Sequence, residues 1–128
     1  MGAGTEIGRV RGLGAAKDGV HHWWLQRVTA IANIVLMLWF ILSLVRLPAL
    51  DYASVTLWLR QPVAAVPMLL LIVAVFWHFR LGVQVMIEDY VHGGSRIVSM
   101  ALLHIWIFGA GSLALFSILK VALTGTPS

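Results

Sequence analysis

From Trp77 to Tyr90 the chain reads Trp-His-Phe-Arg-Leu-Gly-Val-Gln-Val-Met-Ile-Glu-Asp-Tyr, which brings an imidazole, a guanidinium, two carboxylates and a phenol into one apolar segment. On a helix turning about 100° per residue, with His78 at zero, Gly82 falls near 40° and Asp89 near 20°, so these three share a stripe. Tyr90 falls about 120° from His78 and Arg80 about 200°. At about 1.5 Å per residue His78 lies roughly 16 Å below Asp89, near the middle of a hydrocarbon layer about 30 Å thick. An ionisable side chain at that depth is costly and marks a candidate functional position. A neutral imidazole there can ligate a metal, relay a proton or hydrogen-bond a neighbouring helix. Gly82, one turn away on the same stripe, removes a side chain and admits a flat macrocycle or another backbone.

The elements that position these groups are set by composition. The 128 residues are 60% hydrophobic and 11% charged, with a mean hydropathy of +0.92, as expected for an integral membrane protein of three or four spanning helices. A folded aqueous catalytic domain has no room in such a chain and must come from another one. The absence of cysteine excludes disulfides, thiolate chemistry and chain-borne iron–sulfur clusters. The net charge of +4 is carried by basic residues scattered among apolar segments, a pattern of membrane topology and not of nucleic-acid binding. Residues 1–20 lack the apolar core and small-residue cleavage site of a secretory signal peptide.

Taken in order, residues 1–20 carry glycine at 2, 4, 8, 12, 14 and 19, too many for a stable helix, and are expected to form a flexible cytoplasmic arm. His21-His22-Trp23-Trp24 reads as an interfacial belt. A three-helix transmembrane unit is expected over 21–122, with spans near 24–47, 63–88 and 97–121 and a tail at 123–128. Within the first span Arg27 either snorkels to the interface or points into the bundle. Residues 51–60 suit a short amphipathic piece bearing Leu57 and Trp58, and Pro62 and Pro67 open the second span. Gly109, Gly111 and Ser112 offer a small-residue surface for close packing of the third. Arg9, Arg11, Lys17, Arg27 and Arg96 fall on one side of a three-span topology and Arg46, Arg60 and Lys120 on the other. That asymmetry puts the N-terminus in the cytoplasm and the C-terminus in the periplasm. Arg27, Asp89 and Tyr90 then converge at one surface, either as a site for a polar headgroup or as an ordinary interfacial cluster.

Two motifs carry a family resemblance. Gly19-Val20-His21-His22-Trp23-Trp24-Leu25-Gln26-Arg27-Val28-Thr29-Ala30-Ile31, with its Arg-x-Thr-Ala step, and His78-x-x-x-Gly82 followed by Asp89-Tyr90 together resemble the small hydrophobic membrane anchor of succinate dehydrogenase, respiratory complex II. The likeness covers roughly residues 19–122. It implies a non-catalytic chain that tethers a flavoprotein subunit and an iron–sulfur subunit beside a companion anchor chain, and the short N-terminal arm favours a bacterial inner membrane over a mitochondrial one. By resemblance His78 is one axial ligand of a b-type haem, whose iron takes its second ligand from the companion anchor. Tyr90 donates to a ubiquinone carbonyl, Asp89 orients or delivers protons at that quinone site, and Arg27 lies near a haem propionate or the quinone pocket. Arg80 and His92 have no role in the family pattern, whereas His104, at a depth not far from that of His78, either ligates the same haem or hydrogen-bonds within the bundle, the second being the stronger expectation. A competing expectation, from another class, is a small transporter or proton relay using His78, Arg80 and His104 along a polar path.

Overall fold

Long runs of apolar residues with few breakers can satisfy their backbone groups in a membrane only as helices. The computed structural model, which describes residues 16–124, is all-helical. Its elements are α1 (Ala16–Val45), α2 (Tyr52–Leu59), α3 (Pro62–Tyr90) and α4 (Gly94–Thr124). Gly19–Val45, Pro62–Tyr90 and Gly94–Thr124 are each long and apolar enough to cross a membrane, whereas α2, of 8 residues, is not. Three spans place the start of α1, the α3–α4 turn and the start of α4 at one end. The α1–α2 connection, α2 and the end of α4 lie at the other.

The helix ends follow from local chemistry. Pro48, which lacks an N–H, stands three residues beyond the end of α1 at Val45, where its ring restrains the residue before it. Asp51 caps α2 by accepting from the Ser54 backbone N–H at 2.8 Å. Pro62 occupies the first turn of α3, where a missing N–H costs nothing. Between α3 and α4, Gly93 takes φ +69°, a left-handed conformation that only glycine adopts without strain and that reverses the chain within a few residues. The Ser95 hydroxyl closes this turn by donating to the His92 carbonyl at 2.7 Å.

Helix α1 begins at Ala16, eight residues before the 24 expected. A glycine weakens a helix by about 1 kcal/mol, but a long span already nucleated extends backwards at one hydrogen bond per residue, and Gly19 is absorbed. The first fifteen residues of the expected arm, and all but Leu123 and Thr124 of the expected tail, lie outside the described residues.

Helix α3 is central. Helices α1 and α4 pack along different sides of it, with no close backbone approach between α1 and α4 among the described residues. The α3–α4 seam is formed by buried Ile87, Leu103 and Ile107, flanked by Phe76, Val83, Val91 and Met100. Of the three small residues expected to serve close packing, only Gly111 does so. It is buried, and a methyl group there would meet the Phe76 ring at 3.6 Å, whereas Gly109 and Ser112 are exposed. At the far end Trp58 of α2 stacks on Trp39 of α1 with ring centroids 5.7 Å apart, while the α2 backbone lies against α3 and α4.

Candidate functional site

The site grows from the contact between α1 and α3. His78 is half-buried, and its Nδ1 lies 3.1 Å from the Thr29 hydroxyl. That hydroxyl has one proton, and the Leu25 carbonyl one turn earlier takes it at 2.7 Å, with Gln26 O at 3.1 Å. Toward His78 the threonine oxygen therefore accepts, so Nδ1 carries the imidazole proton and Nε2 keeps its lone pair. Among the described residues Nε2 has no hydrogen-bond partner.

The stripe beside His78 is open. An added methyl group at Gly82 would meet nothing within 4 Å, and Met86 and Asp89 on the same side are exposed. Tyr90, in the last turn of α3, is 81% exposed, so its phenol stands clear of its own chain. Arg27 is exposed on α1, with its guanidinium carbon 4.9 Å from the centroid of the Trp23 ring, a cation–π contact at the interfacial belt. No hydrogen bond or ion pair joins Arg27 to Asp89 or Tyr90 among the described residues. The structure thus brings His78 and Thr29 together, aligns Gly82 and Asp89 with them, and leaves Arg27 apart.

The remaining intramembrane polar groups form a second unit. His104 Nδ1 lies 2.7 Å from the Met100 carbonyl and must donate to it. Its Nε2 is then an acceptor, and Arg80 donates to it from Nε at 3.3 Å and from Nη2 at 3.2 Å. The guanidinium also lies 5.0 Å over the Trp77 ring. The family pattern assigns Arg80 no partner. A signal for one is present in the numbering, because Arg80 and His104 each stand twelve residues from His92, and two antiparallel helices joined by a short turn face each other at equal distance from it. No comparable signal pairs Thr29 with His78, since α2 and its two connections intervene. Among the described residues no group of three or more His, Cys, Asp or Glu side chains gathers as a metal site.

A bundle of three helices, each long and apolar enough to cross a membrane, with one imidazole presented toward an open face, defines a multi-pass membrane protein. The particular family is shown by comparison. The chain belongs to the succinate dehydrogenase/fumarate reductase transmembrane subunit family, whose model matches residues 1–119. It is 36% identical over 88 residues to the succinate dehydrogenase hydrophobic membrane anchor subunit of Rickettsia bellii, covering 68% of this chain and 70% of that one. The subunit of the same name from Paracoccus denitrificans is 33% identical over 98 residues, 77% of this chain and 74% of its own. The succinate dehydrogenase membrane anchor subunit of Reclinomonas americana is 39% identical over 94 residues, 70% and 78% respectively. No solved structure matches the chain. The chain is therefore a multi-pass membrane protein related to the anchor subunits of succinate dehydrogenase.

Proposed function

We propose that this chain anchors a succinate:ubiquinone oxidoreductase in a bacterial inner membrane, holds one side of a b-type haem through His78, and contributes Tyr90 and Asp89 to the ubiquinone-reduction site. The flavoprotein and iron–sulfur subunits would supply succinate oxidation, and the companion anchor chain would hold the other side of the haem. The N-terminus faces the cytoplasm and the C-terminus the periplasm, following the excess of basic residues on the first side.

The observation that carries this reading is the Thr29–His78 hydrogen bond. A ligating histidine needs a neutral ring with one nitrogen unprotonated, and a partner on the other nitrogen fixes the tautomer and the ring plane. Thr29 does this for Nδ1, which leaves Nε2 as the donor toward iron, and Gly82 leaves room for a flat ring on the same stripe. When bound, the haem supplies a one-electron redox centre whose potential the apolar helices tune by excluding water. The second intramembrane histidine does not compete, because both nitrogens of His104 are spent on Met100 and Arg80. The same engagement disfavours a transporter reading: no hydrogen bond links His78 to Arg80 or His104 among the described residues, so the three form no continuous relay.

At the end of α3 a phenol and a carboxylate stand side by side in sequence, both exposed. Quinone reduction takes up protons with the electrons, and a site at the membrane surface gives protons a short path from water. Tyr90 donates its O–H to a quinone carbonyl, and Asp89 exchanges protons with solvent beside it. Arg27 is free to turn toward a propionate or a quinone oxygen, since its present contact is an aromatic face worth only about 0.5–1 kcal/mol at an exposed site. In purified complex, Tyr90→Phe is expected to lower succinate–quinone turnover by at least about tenfold while succinate oxidation by an artificial dye persists. Undiminished quinone turnover in that variant would remove Tyr90 from the pocket.

A further inference from the structure

We infer that Arg80 is a fixed positive charge that raises the reduction potential of the haem held at His78. The inference rests on the haem reading above and gives a role to a residue that the reading leaves unused. Arg80 lies on the far side of α3 from the ligand and acts through its field.

The charge is singular. In the central stretches of the three spans, residues 28–45, 62–87 and 97–119, Arg80 is the sole Asp, Glu, Lys or Arg. Among the described residues its guanidinium meets His104 Nε2, at 3.3 Å from Nε and 3.2 Å from Nη2, and the Trp77 ring, whose centroid lies 5.0 Å from the guanidinium carbon. Neither partner bears negative charge, since His104 accepts through a lone pair and gives its own proton to the Met100 carbonyl. Glu88 stands about 12 Å further along α3 and accepts from Gln84 Nε2 at 3.0 Å. This chain therefore orients the guanidinium without neutralising it. The forked contact with one imidazole nitrogen, together with the indole face, holds the charge in place as a flexible ammonium would not be held.

The position suits an effect on the ligand. Arg80 follows His78 by two residues, about 3 Å along the axis and about 200° around it. His78 turns to α1, where Thr29 meets it at 3.1 Å, and Arg80 turns to α4. About one helix thickness, 10–12 Å with side chains, separates the two faces. Between them lie helix backbone and apolar side chains, where charges reach further than in water and salt screens them little. Ferric haem carries one more positive charge than ferrous whatever its second ligand, so a nearby cation favours the reduced form. A unit charge at about 12 Å, with an effective dielectric constant of about 20, displaces such an equilibrium about tenfold, which for one electron is about 59 mV.

The test is an optical redox titration of the b-type spectrum in purified complex, native and variant. In Arg80→Gln the midpoint should fall by the equivalent of an about three- to tenfold change in the ferric-to-ferrous ratio, with the absorption maxima unmoved because the axial ligands are untouched. Arg80→Lys keeps the charge and should hold the midpoint closer to the native value. Arg46→Gln removes an exposed charge beyond the other end of α1 and should leave the midpoint where it is. Should Arg80→Gln fail to assemble with His104 left unsatisfied, Arg80→Leu/His104→Leu removes both partners together and should give the same fall. An unmoved or raised midpoint in either charge-removing variant, or an equal fall in Arg80→Lys, overturns the proposal and leaves His78 as the ligand. A native complex without haem, or a spectrum indifferent to His78→Ala, overturns instead the reading on which the proposal rests, and the proposal falls with it.

Discussion

Thr29 and His78 are 49 residues apart in the chain, yet their side chains meet at 3.1 Å, and most of the proposed chemistry rests on this pair. The threonine hydroxyl is itself fixed by the Leu25 carbonyl, so it presents a lone pair and not a proton. Replacing Thr29 with valine keeps the shape but leaves Nδ1–H unpaired, a loss of about 1–3 kcal/mol where that donor is kept from water. Substitution of a group that orients a metal ligand typically weakens the metal by about 10–100-fold. Haem content of Thr29→Val complex, measured against protein, is expected to fall accordingly, and Thr29→Ser should restore it. Full haem content with an unshifted spectrum in the valine variant would make the contact incidental. The role of Thr29 was illegible in the sequence, because a threonine at the mouth of a span reads as helix-compatible and nothing local points across to α3. The stripe of His78, Gly82 and Asp89, in contrast, followed from helical periodicity alone.

Among the elements, α2 lies outside the spans and starts from a carboxylate cap. The Ser54 backbone N–H, and then its hydroxyl, hold the Asp51 carboxyl below its ordinary value. A carboxylate lowered in the folded state contributes stability above its unfolded value and loses it as pH falls through the folded one. The cap should therefore be intact at neutral pH and fail in acid, below the ordinary carboxylate value of about 3.9. Hydrogen exchange of the α2 amides is expected to quicken on acidification in the native chain. In Asp51→Asn, which caps without ionising, that response should be absent; an identical acid response in both would remove Asp51 as its cause. The short helix was legible because aspartate, two apolar turns and a proline pair bracket it. The start of α1 was not, because glycine content argues against a helix locally while a long span overrides it from one side.

At the scale of the whole molecule, the spans bury little of themselves: Ile31, Val63, Ile97 and Ile105 are all more than 60% exposed. Such surface is stable against lipid or against other apolar helices, and helices in a membrane are held together by close packing and polar contacts. The three-span architecture was legible from composition, since hydrocarbon admits few alternatives. Which faces meet was not, because apolar residues surround each span and give periodicity little to work with. The polar residues break that degeneracy. Thr29–His78 ties α1 to α3, Arg80–His104 ties α3 to α4, and the stripe beside His78 at Gly82 stays open. The most direct measurement is a reduced-minus-oxidised optical spectrum of the purified complex, native and His78→Ala, with the co-purifying chains identified by mass. A b-type spectrum in the native complex that is lost or shifted in His78→Ala, with flavoprotein and iron–sulfur chains present in both, is the expected result. A haem spectrum untouched by His78→Ala, or a native complex with those chains and no haem, would contradict His78 as the ligand.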